Sequence, residues 1–314
     1  MLGPPDVGQR VVIRRIVGVR EGRPLYSDVL GFLAAAGARD LLLEADSGVV
    51  LRVPVAAVVA AKRVPPRRVA APGQVAALER AAGDAWPAPH TGRLGGWRLR
   101  AAGGWTGRAN SALAVGDPGR PLPAAVDEVT RWYARRGLPA RIAVPEPLAA
   151  PVARYLAGAG WTAAPEVLVQ TVPLADLPPV LPAPRVDLDR YPTPAALALV
   201  AAQKGALPPA AYPVLYGPAC VRFATVPDPA GGLLGICRGA VTRRRLHLGL
   251  MQVAPAHRGR GLATALLLAL AGWAAGVGAH TGYLQVQHDN TAAVRLYRRL
   301  GFTTSHTYRC WTAP

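Results

Sequence analysis

Near the end of the sequence, a strand-like segment leads into a glycine-containing turn, and a long apolar helix is predicted to follow. The turn has the residues HRGRG at positions 257–261. Main-chain N–H groups at the start of a helix point outward, and the helix dipole favours an anion there. Gly259 and Gly261 place no Cβ between the main chain and a phosphate, while Arg258 and Arg260 could add charge-assisted hydrogen bonds. The segment therefore predicts an anion site, with a glycine-rich connection carrying ordinary surface arginines as the alternative.

Two common nucleotide motifs do not fit this turn. A P-loop continues with Gly-Lys-Ser/Thr, and no such triplet follows here. A dinucleotide fingerprint has the spacing GxGxxG and an acidic residue further along its βαβ unit, and this segment has neither.

A second pattern follows downstream, after a predicted strand over 282–287. Its residues are Asn290, Ala293, Leu296, Tyr297, Gly301 and Phe302. The two segments together resemble the GNAT superfamily, the GCN5-related N-acetyltransferases. The phosphate motif of that family, Gln/Arg-x-x-Gly-x-Gly/Ala, is matched by Arg258, Gly261 and Ala263. Its later motif, Asn-x-x-Ala-x-x-Leu-Tyr-x-x-x-Gly-Phe, is matched in register by the second pattern.

The resemblance implies that acetyl-coenzyme A (acetyl-CoA) is the co-substrate and that no metal is needed. Its pantetheine arm would fill a gap between two strands that splay apart, one ending at Val253 and the other covering 283–287. The turn would hold the pyrophosphate. The implied cofactor-binding residues are Gln252, Val253, Arg258, Gly259, Arg260, Gly261, Leu262, Ala263, Thr264 and Asn290.

The resemblance also implies that a neutral amine attacks the acetyl carbonyl directly, in a ternary complex. A main-chain N–H group would stabilise the oxyanion. Tyr297 would stand near the sulfur and act as general acid for the departing thiolate. The alternative is that Tyr297 is an aromatic side chain that only packs on the next strand.

The general base is left open by the sequence. Many relatives place a carboxylate on the strand before the phosphate turn, but residues 246–254 contain none. The nearby titratable groups are His247, which could face either side of its strand, and the pair His288 and Asp289. His247 is the catalytic candidate, with His288 behind it. A chain of water molecules, or an amine that arrives neutral, is the alternative.

We expect an α+β protein with mixed sheets and three domains. Short β-rich runs predict a small SH3-like β-barrel over residues 1–66. Two regions that mix helices and strands follow at 72–176 and 186–314, and each is expected to be a GNAT-like lobe. The second lobe contains the motifs above and is expected to be the catalytic one.

Turn and linker signals separate these regions. Asp46-Ser47-Gly48 predicts a tight turn between two strands of the barrel. The prolines within 64–68 and within 173–184 predict linkers, because consecutive prolines stop regular strand pairing.

The expected elements follow from hydrophobic periodicity and from Gly/Pro signals. Helices are predicted at 75–82, 124–136, 147–159, 194–203, 208–215, from Gly261 onward, and at 291–300. Strands are predicted at 10–14, 41–44, 49–53, 96–100, 140–144, 167–172, 221–226, 232–241, 246–253, 282–287 and 307–311.

The two lobes share an internal echo, since residues 152–161 resemble residues 293–302 and the surrounding elements have the same order. This favours duplication of one fold, with a chance match at a glycine-capped helix as the alternative. At 116–123, where a phosphate turn should lie, the first lobe has prolines and Asp117. Prolines lack N–H donors, so we expect this lobe to be degenerate. The whole order is similar to an actinobacterial histone-acetyltransferase-like group with an SH3-like N-terminal domain.

The net charge is +18, from 36 Lys+Arg against 18 Asp+Glu, and a surface that binds nucleic acid must be considered. Lys62 and Lys204 are the only lysines, and the arginines are scattered. GC-rich coding is therefore one explanation of the charge and a polyanion-binding surface is the other.

The three cysteines show no CxxC spacing, so a disulfide framework or structural zinc is not expected and a reducing cytoplasm fits. The uncharged run at 262–279 is long enough to span a bilayer. It is rich in Ala and Gly and follows a polar turn, so we interpret it as a buried helix and expect no membrane partner.

The sequence thus predicts an N-acetyltransferase that moves the acetyl group of acetyl-CoA to a primary amine, either a protein lysine or a small molecule. The alternative is a protein that senses acetyl-CoA and binds nucleic acid or another partner through its barrel and basic surface.

Overall fold

The computed structural model describes residues 2–45, 50–64, 70–180 and 184–314. The chain divides into two compact units, Met1–Val69 and Ala70–Pro314. The predicted turn at 46–48, most of the linker at 64–68 and part of the linker at 173–184 lie outside the described residues.

The first unit is a five-stranded antiparallel sheet. Its strands are β1 (Arg10–Arg20), β2 (Arg23–Ala36), β3 (Asp40–Ala45), β4 (Val50–Pro54) and β5 (Val58–Arg63). The strand order is β4-β3-β2-β1-β5. Within the described residues the outer strands β4 and β5 do not pair, so the sheet is open and the predicted SH3-like barrel is not confirmed.

The core of the first unit explains its stability as a sheet. Alternate residues of β1 and β2 point to one face, so Val11, Ile13 and Leu33 are fully buried together with Leu43 and Val53. Two register shifts, at Ile16/Gly18 and at Leu33/Ala35, bend the long β1–β2 and β2–β3 ladders.

The described residues of the second unit, 70–180 and 184–314, form seven α-helices and twelve strands. Its first half consists of α1 (Pro72–Ala85), β6 (His90–Leu94), β7 (Trp97–Ala101), β8 (Ala112–Leu113), α2 (Leu122–Ala134), β9 (Arg141–Glu146), α3 (Ala150–Gly158), β10 (Thr162–Ala163) and β11 (Val167–Pro173). Its second half consists of β12 (Asp187–Asp189), α4 (Pro194–Lys204), α5 (Ala211–Tyr216), β13 (Val221–Pro227), β14 (Leu233–Thr242), β15 (Arg245–Val253), α6 (Leu262–Gly276), β16 (Thr281–Gln287), α7 (Thr291–Arg299) and β17 (Thr303–Thr312).

All these strands form one mixed sheet, in the order β12-β13-β14-β15-β16-β11-β17-β9-β8-β7-β6, with β10 beside β17. The pairs β8–β9 and β15–β16 are parallel, and every other pair is antiparallel. The last strand of each half is exchanged: β11 pairs with β16, and β17 pairs with β9. The sheet is therefore continuous across the boundary predicted at 176–186, and the division into two lobes stays a prediction.

Helices cover both faces of the second half of this sheet. The face of α6 and α7 buries Leu248 and Leu284 with Leu266, Leu267 and Leu270. On the opposite face, α4 and α5 pack with Phe223 and Ile236, together with Trp86 at the end of α1. Side chains that point to either face of these strands are therefore covered by helices.

The helix α6 occupies the uncharged run that could have crossed a bilayer. Its N-cap is Gly261, which has left-handed backbone angles that glycine adopts without strain. Nine of its residues are buried against the sheet. Among the described residues, no helix is long and apolar enough to cross a membrane.

Candidate acetyl-transfer cleft

The strands β15 and β16 pair only at their first residues, from Arg245–Thr281 to Leu248–Leu284. Beyond Leu248, Leu250 takes a positive φ of 52° and the register to β14 shifts. An irregularity of this kind bends a strand away from its neighbour. The splay that the family resemblance implies is therefore present, and it opens a gap lined by main-chain groups of β15.

The glycine turn closes the wide end of this gap. Gly259 and Gly261 have φ values of 76° and 80°, and a Cβ at either position would meet no atom within 4 Å. Within the described residues, the amides of 259–264 donate to no carbonyl or side chain, since the first such bond of α6 runs from Ala265 N to Gly261 O. Unsatisfied amides at a helix N-terminus form an anion site.

The two arginines of the turn differ from each other in their contacts. The Arg258 side chain donates from Nε to the carbonyl oxygen of Val253 at 3.3 Å, and so ties the turn to the end of β15. It still borders the cleft, but Arg260 does not. Arg260 is exposed between Gly259 and Gly261, which both have a positive φ, and its role in binding the cofactor stays a prediction.

Asn290 and Tyr297 lie at the start and end of α7 and both border the cleft. Asn290 caps the helix, accepting a hydrogen bond from Ala293 N at Oδ1 over 3.2 Å; its amide NH₂ is left for another partner. The Tyr297 ring packs on Phe302, 5.8 Å away between centroids. Burial, and to a lesser extent the nearby Cys237, raise the pKa of Tyr297, so its hydroxyl remains protonated at neutral pH.

His247 faces the side of α1, and its orientation was open in the sequence. Its ring lies 6.0 Å from Trp86 and 5.2 Å from Tyr283 between centroids. Burial, followed by the charges of Arg108 and Arg238, lowers the pKa of His247 well below 6.5, so the imidazole is neutral. It borders the cleft, whereas His288 is exposed outside it.

These residues share a cavity of about 970 Å³ that passes through the gap in the sheet. One mouth is formed by the glycine turn, Asn290 and Tyr297, and the other by residues on the α1 face. The cofactor-binding residues expected from the sequence that border it are Gln252, Val253, Arg258, Gly259, Gly261, Leu262, Ala263, Thr264 and Asn290. The structure thus brings every predicted site residue except Arg260 to one cleft.

The mouth on the α1 face contains polar residues that sequence reasoning did not select. Glu79 from α1 and Tyr308 from β17 border it, together with Arg100 and Arg108 from the first half. His306 Nε2 lies 2.9 Å from Glu79 Oε1 although 227 residues separate the two in sequence. No local motif could have shown this pairing. The one available signal was that Glu79 stands four residues after Val75 and three before Ala82, on the apolar face of α1.

No group of three or more His, Cys, Asp or Glu side chains is placed to hold a metal ion in the described part of the chain.

Comparison with known proteins identifies the family. Residues 73–311 match the family model described as "Probable histone acetyltransferase Rv0428c C-terminal". The chain is 33% identical over 322 residues to the probable histone acetyltransferase Rv0428c of Mycobacterium tuberculosis, across 98% of this chain and 96% of that protein. This chain belongs to the Rv0428c family of GNAT acetyltransferases. It is therefore an acyltransferase.

Solved structures of other GNAT proteins share the fold. A GCN5-related N-acetyltransferase from Kribbella flavida superposes with a TM-score of 0.61 at 19% identity, covering 76% of this chain and 95% of that one. A tandem GNAT protein from the clavulanic acid biosynthesis pathway superposes with a TM-score of 0.51 at 19% identity, over 80% of this chain and 89% of that one. The fold of this chain is thus shared with other GNAT proteins, one of which is a tandem GNAT protein.

In this GNAT protein, the turn at 116–123 is filled by its own hydrogen bonds. Gly96 N donates to Asp117 O at 2.6 Å, and Trp97 Nε1 donates to Gly116 O at 3.0 Å. The Asp117 carboxylate accepts from Gly119 N at 2.8 Å. One amide of the turn, that of Gly119, is therefore already used, and the prolines at 118, 121 and 123 have no N–H to offer a phosphate.

Proposed function

We propose that this GNAT protein transfers the acetyl group of acetyl-CoA to a primary amine, and that the cleft between β15 and β16 is its active site. The observation that supports this most is the row of unsatisfied amides at 259–264, which opens into the same cavity as Tyr297. A phosphate-bearing ligand held there has a path along β15 toward the tyrosine.

The residues of the cleft fit the parts of such a ligand. The amides of the turn and the N-terminus of α6 would hold the pyrophosphate. Main-chain groups of Gln252 and Val253, freed where β15 leaves β16, would bind the pantetheine arm, and the Asn290 amide would contact it. The cation of Arg258 would fix the turn through Val253 and add positive charge nearby.

Acetyl-CoA supplies the acetyl group as a thioester, and the C–N bond to the amine forms as the C–S bond breaks. The ammonium of the acceptor gives up two protons in total. Tyr297 would give a proton to the departing sulfur, and one of the two protons from the amine would replace it on Tyr297. The other proton is released to solvent. His247 is neutral, so it can accept a hydrogen bond from the amine, but its lowered pKa makes it a weak base.

The placement of the cofactor is tested by Gly261→Ala. A Cβ at a φ of 80° would project into open space in the cleft, where the phosphate must approach the main chain. Losing hydrogen bonds to a charged group costs about 1.5–3 kcal/mol, so we expect CoA to bind about ten- to a hundredfold more weakly. Isothermal titration calorimetry measures this directly.

The control is Gly278→Ala, near the other end of α6. Gly278 has a φ of 85° and equally open surroundings, so the backbone strain is matched, but it does not border the cleft. We expect this variant to bind CoA as the wild type does. Equal CoA affinity in the Gly261→Ala variant and the wild type would reject the placement.

We also infer that the two halves of the second unit descend from one duplicated fold, with lobes at 72–176 and 186–314. The strand order supports this, because it reads the same from either edge: an antiparallel set, a parallel pair, and an exchanged strand. The second lobe contains the cleft and would be the catalytic one.

A further inference from the structure

The mouth of the cleft on the α1 face has a charge pattern that limits which amine can enter. Its charged groups are Glu79, Arg100 and Arg108. They come from α1 and from the first half of the second unit, and β17 completes the wall with His306 and Tyr308. This wall is separate from the groups expected to hold CoA.

Glu79 is a buried carboxylate with one oxygen in use. His306 Nε2 lies 2.9 Å from Oε1. The other oxygen, Oε2, has no hydrogen-bond partner among the described residues and is not sealed from the cleft. Burial raises the pKa of Glu79, but the His306 hydrogen bond and the charges of Arg108 and Arg100 outweigh it and lower the pKa. Glu79 is therefore an anion with an acceptor atom facing the cleft.

Arg108 is a cation with donors to spare. Its Nη2 donates to the Tyr308 hydroxyl at 2.7 Å, and its guanidinium lies 5.3 Å from the Tyr308 ring centroid. No carboxylate of the described residues lies within 4.0 Å of it. The Tyr308 contact fixes the guanidinium while its remaining N–H groups stay available, and a planar guanidinium suits two-pronged binding of a carboxylate.

The balance of charge at this mouth is positive. The Arg100 guanidinium is buried and held by Ser111, through bonds of 3.0 Å to the carbonyl oxygen and to the hydroxyl. Two guanidinium groups thus face a single carboxylate. A ligand with only an ammonium group would add to the excess of positive charge. A ligand with both an ammonium and a carboxylate would leave the net charge unchanged, and it would pair with both the carboxylate and a guanidinium of the mouth.

We propose that the acceptor is a small amine of the amino-acid class, with its ammonium on Glu79 Oε2 and its carboxylate on Arg108. This rests on the proposed transfer to an amine and narrows it. The ring of Trp86, which also borders the cleft, offers a surface for the apolar part of the acceptor. A lysine side chain of a protein brings no carboxylate to this depth, so it would leave Arg108 unpaired.

The test uses the full chain, acetyl-CoA, and the twenty L-amino acids, each compared with its own carboxamide. The carboxamide keeps the amine and the side chain but loses the negative charge. Thiol release gives the rate and mass spectrometry identifies the N-acetyl product. We expect kcat/KM for the preferred amino acid to exceed that for its amide by about ten- to a hundredfold, the usual effect of a hydrogen-bonded charge.

The Arg108→Gln variant should bring this acid-to-amide ratio close to one, and Arg108→Lys should retain part of it, since the charge remains but the fork is lost. Arg154→Gln is the matched control, because Arg154 is exposed on α3 and does not border the cleft. Its ratio should equal that of the wild type. CoA binding, measured by calorimetry, shows that each variant is folded.

Three results would overturn the inference: equal rates for acid and amide in the wild type, a ratio that survives in Arg108→Gln, or a lysine peptide acetylated better than every amino acid. Each of these leaves acetyl transfer to an amine intact. If CoA binds but no amine of any class, including peptides and polyamines, releases thiol, the proposed function itself fails.

Discussion

The two halves of the second unit share a succession of three strands, a helix, a strand, a helix and a final strand, but they differ where a cofactor would bind. In the second half, the glycine turn leaves six amides free and β15 splays from β16. In the first half, the turn before α2 is closed by bonds of Asp117 and Trp97, and β8 pairs with β9 at only two positions. At the position aligned with Tyr297, the helix α3 has the fully buried Leu156.

If the two halves descend from one duplicated fold, as we propose, they now contribute differently to the cleft. The first half supplies wall residues, whereas the second half supplies the glycine turn. The contributions of the first half to the cleft include Glu79, Arg100, Arg108 and Ser111. Comparison of equivalent positions therefore separates residues that act on the cofactor from residues that only maintain the shared fold.

The largest expected effect is on kcat and concerns Tyr297, whose aligned residue in the first half is Leu156. Tyr297→Phe should lower kcat about a hundredfold, the lower end of the range for general acid catalysis, because a thiolate can also leave without help. CoA affinity should change little, since the hydroxyl acts as the sulfur departs. The assay is acetyl transfer to a competent amine, with the Kd for CoA measured in parallel.

The control for this change is Tyr155→Phe, which removes a hydroxyl from the equivalent helix of the first half. Tyr155 does not border the cleft, so kcat should stay at the wild-type value. A Tyr297→Phe variant with wild-type kcat between pH 6 and 9 would mean that the ring only packs on Phe302 and that solvent protonates the sulfur.

A second, smaller effect distinguishes the two turns. Calorimetry on the full chain should show one CoA per chain, since the turn at 116–123 has prolines at 118, 121 and 123, which lack N–H donors, and the amide of Gly119 already donates to Asp117. Gly119→Ala, at a φ of 73° with its nearest neighbour 3.8 Å from the added Cβ, should leave CoA affinity unchanged, in contrast to the tenfold or greater loss for Gly261→Ala. A stoichiometry of two would show that the first half also binds cofactor.

The smallest effect concerns stability. Both halves have a strand residue that packs near α1. In the first half it is Leu113 of β8, which cannot titrate, and in the second half it is His247 of β15, which lies against Trp86 at the end of α1. The folded state holds His247 neutral with a lowered pKa, against Trp86, Tyr283 and the charges of Arg108 and Arg238. Below about pH 6.5 the unfolded chain binds a proton at His247, whereas the folded chain does not. The free energy of unfolding should therefore fall as the pH is lowered, by up to about 1.4 kcal/mol per pH unit.

The variant His247→Phe should flatten this dependence between pH 6.5 and 5, because phenylalanine cannot titrate in either state. Urea unfolding of both proteins over that range gives the two slopes. Identical slopes would show that His247 titrates alike in the folded and unfolded chains.

Local features of the fold were predictable from the sequence. Most helices and strands after residue 70 lie within a few residues of their predicted positions, since their apolar periods and glycine or proline boundaries are intact. The short strands β6, β8, β10 and β12 were missed. Strands of two to five residues have too few positions to show a period and depend on their partners in the sheet.

The grouping of the glycine turn, Asn290 and Tyr297 in one cleft was also predictable, because these residues lie in two short stretches of sequence. The mouth on the α1 face, where we place the acceptor, was not. Glu79 and His306 meet only because β17 leaves its own half and pairs with β9 and β11, and such pairing between distant strands leaves no local pattern. The open sheet of the first unit was missed for a similar reason, since five strands in sequence do not specify whether the two outer strands, here β4 and β5, will pair.

The exchange of β11 and β17 also sets the order of events during synthesis on the ribosome. Of the strands described, β17 emerges last, yet it lies in the interior of the sheet between β11 and β9. Until it docks, β11 and β9 present open edges toward each other, and the wall that contains Glu79 has no His306 or Tyr308. A nascent chain stalled before residue 303 would thus lack the wall residues His306 and Tyr308 even after the glycine turn had been synthesised, so the mouth on the α1 face, where we place the acceptor, is completed only once β17 has docked.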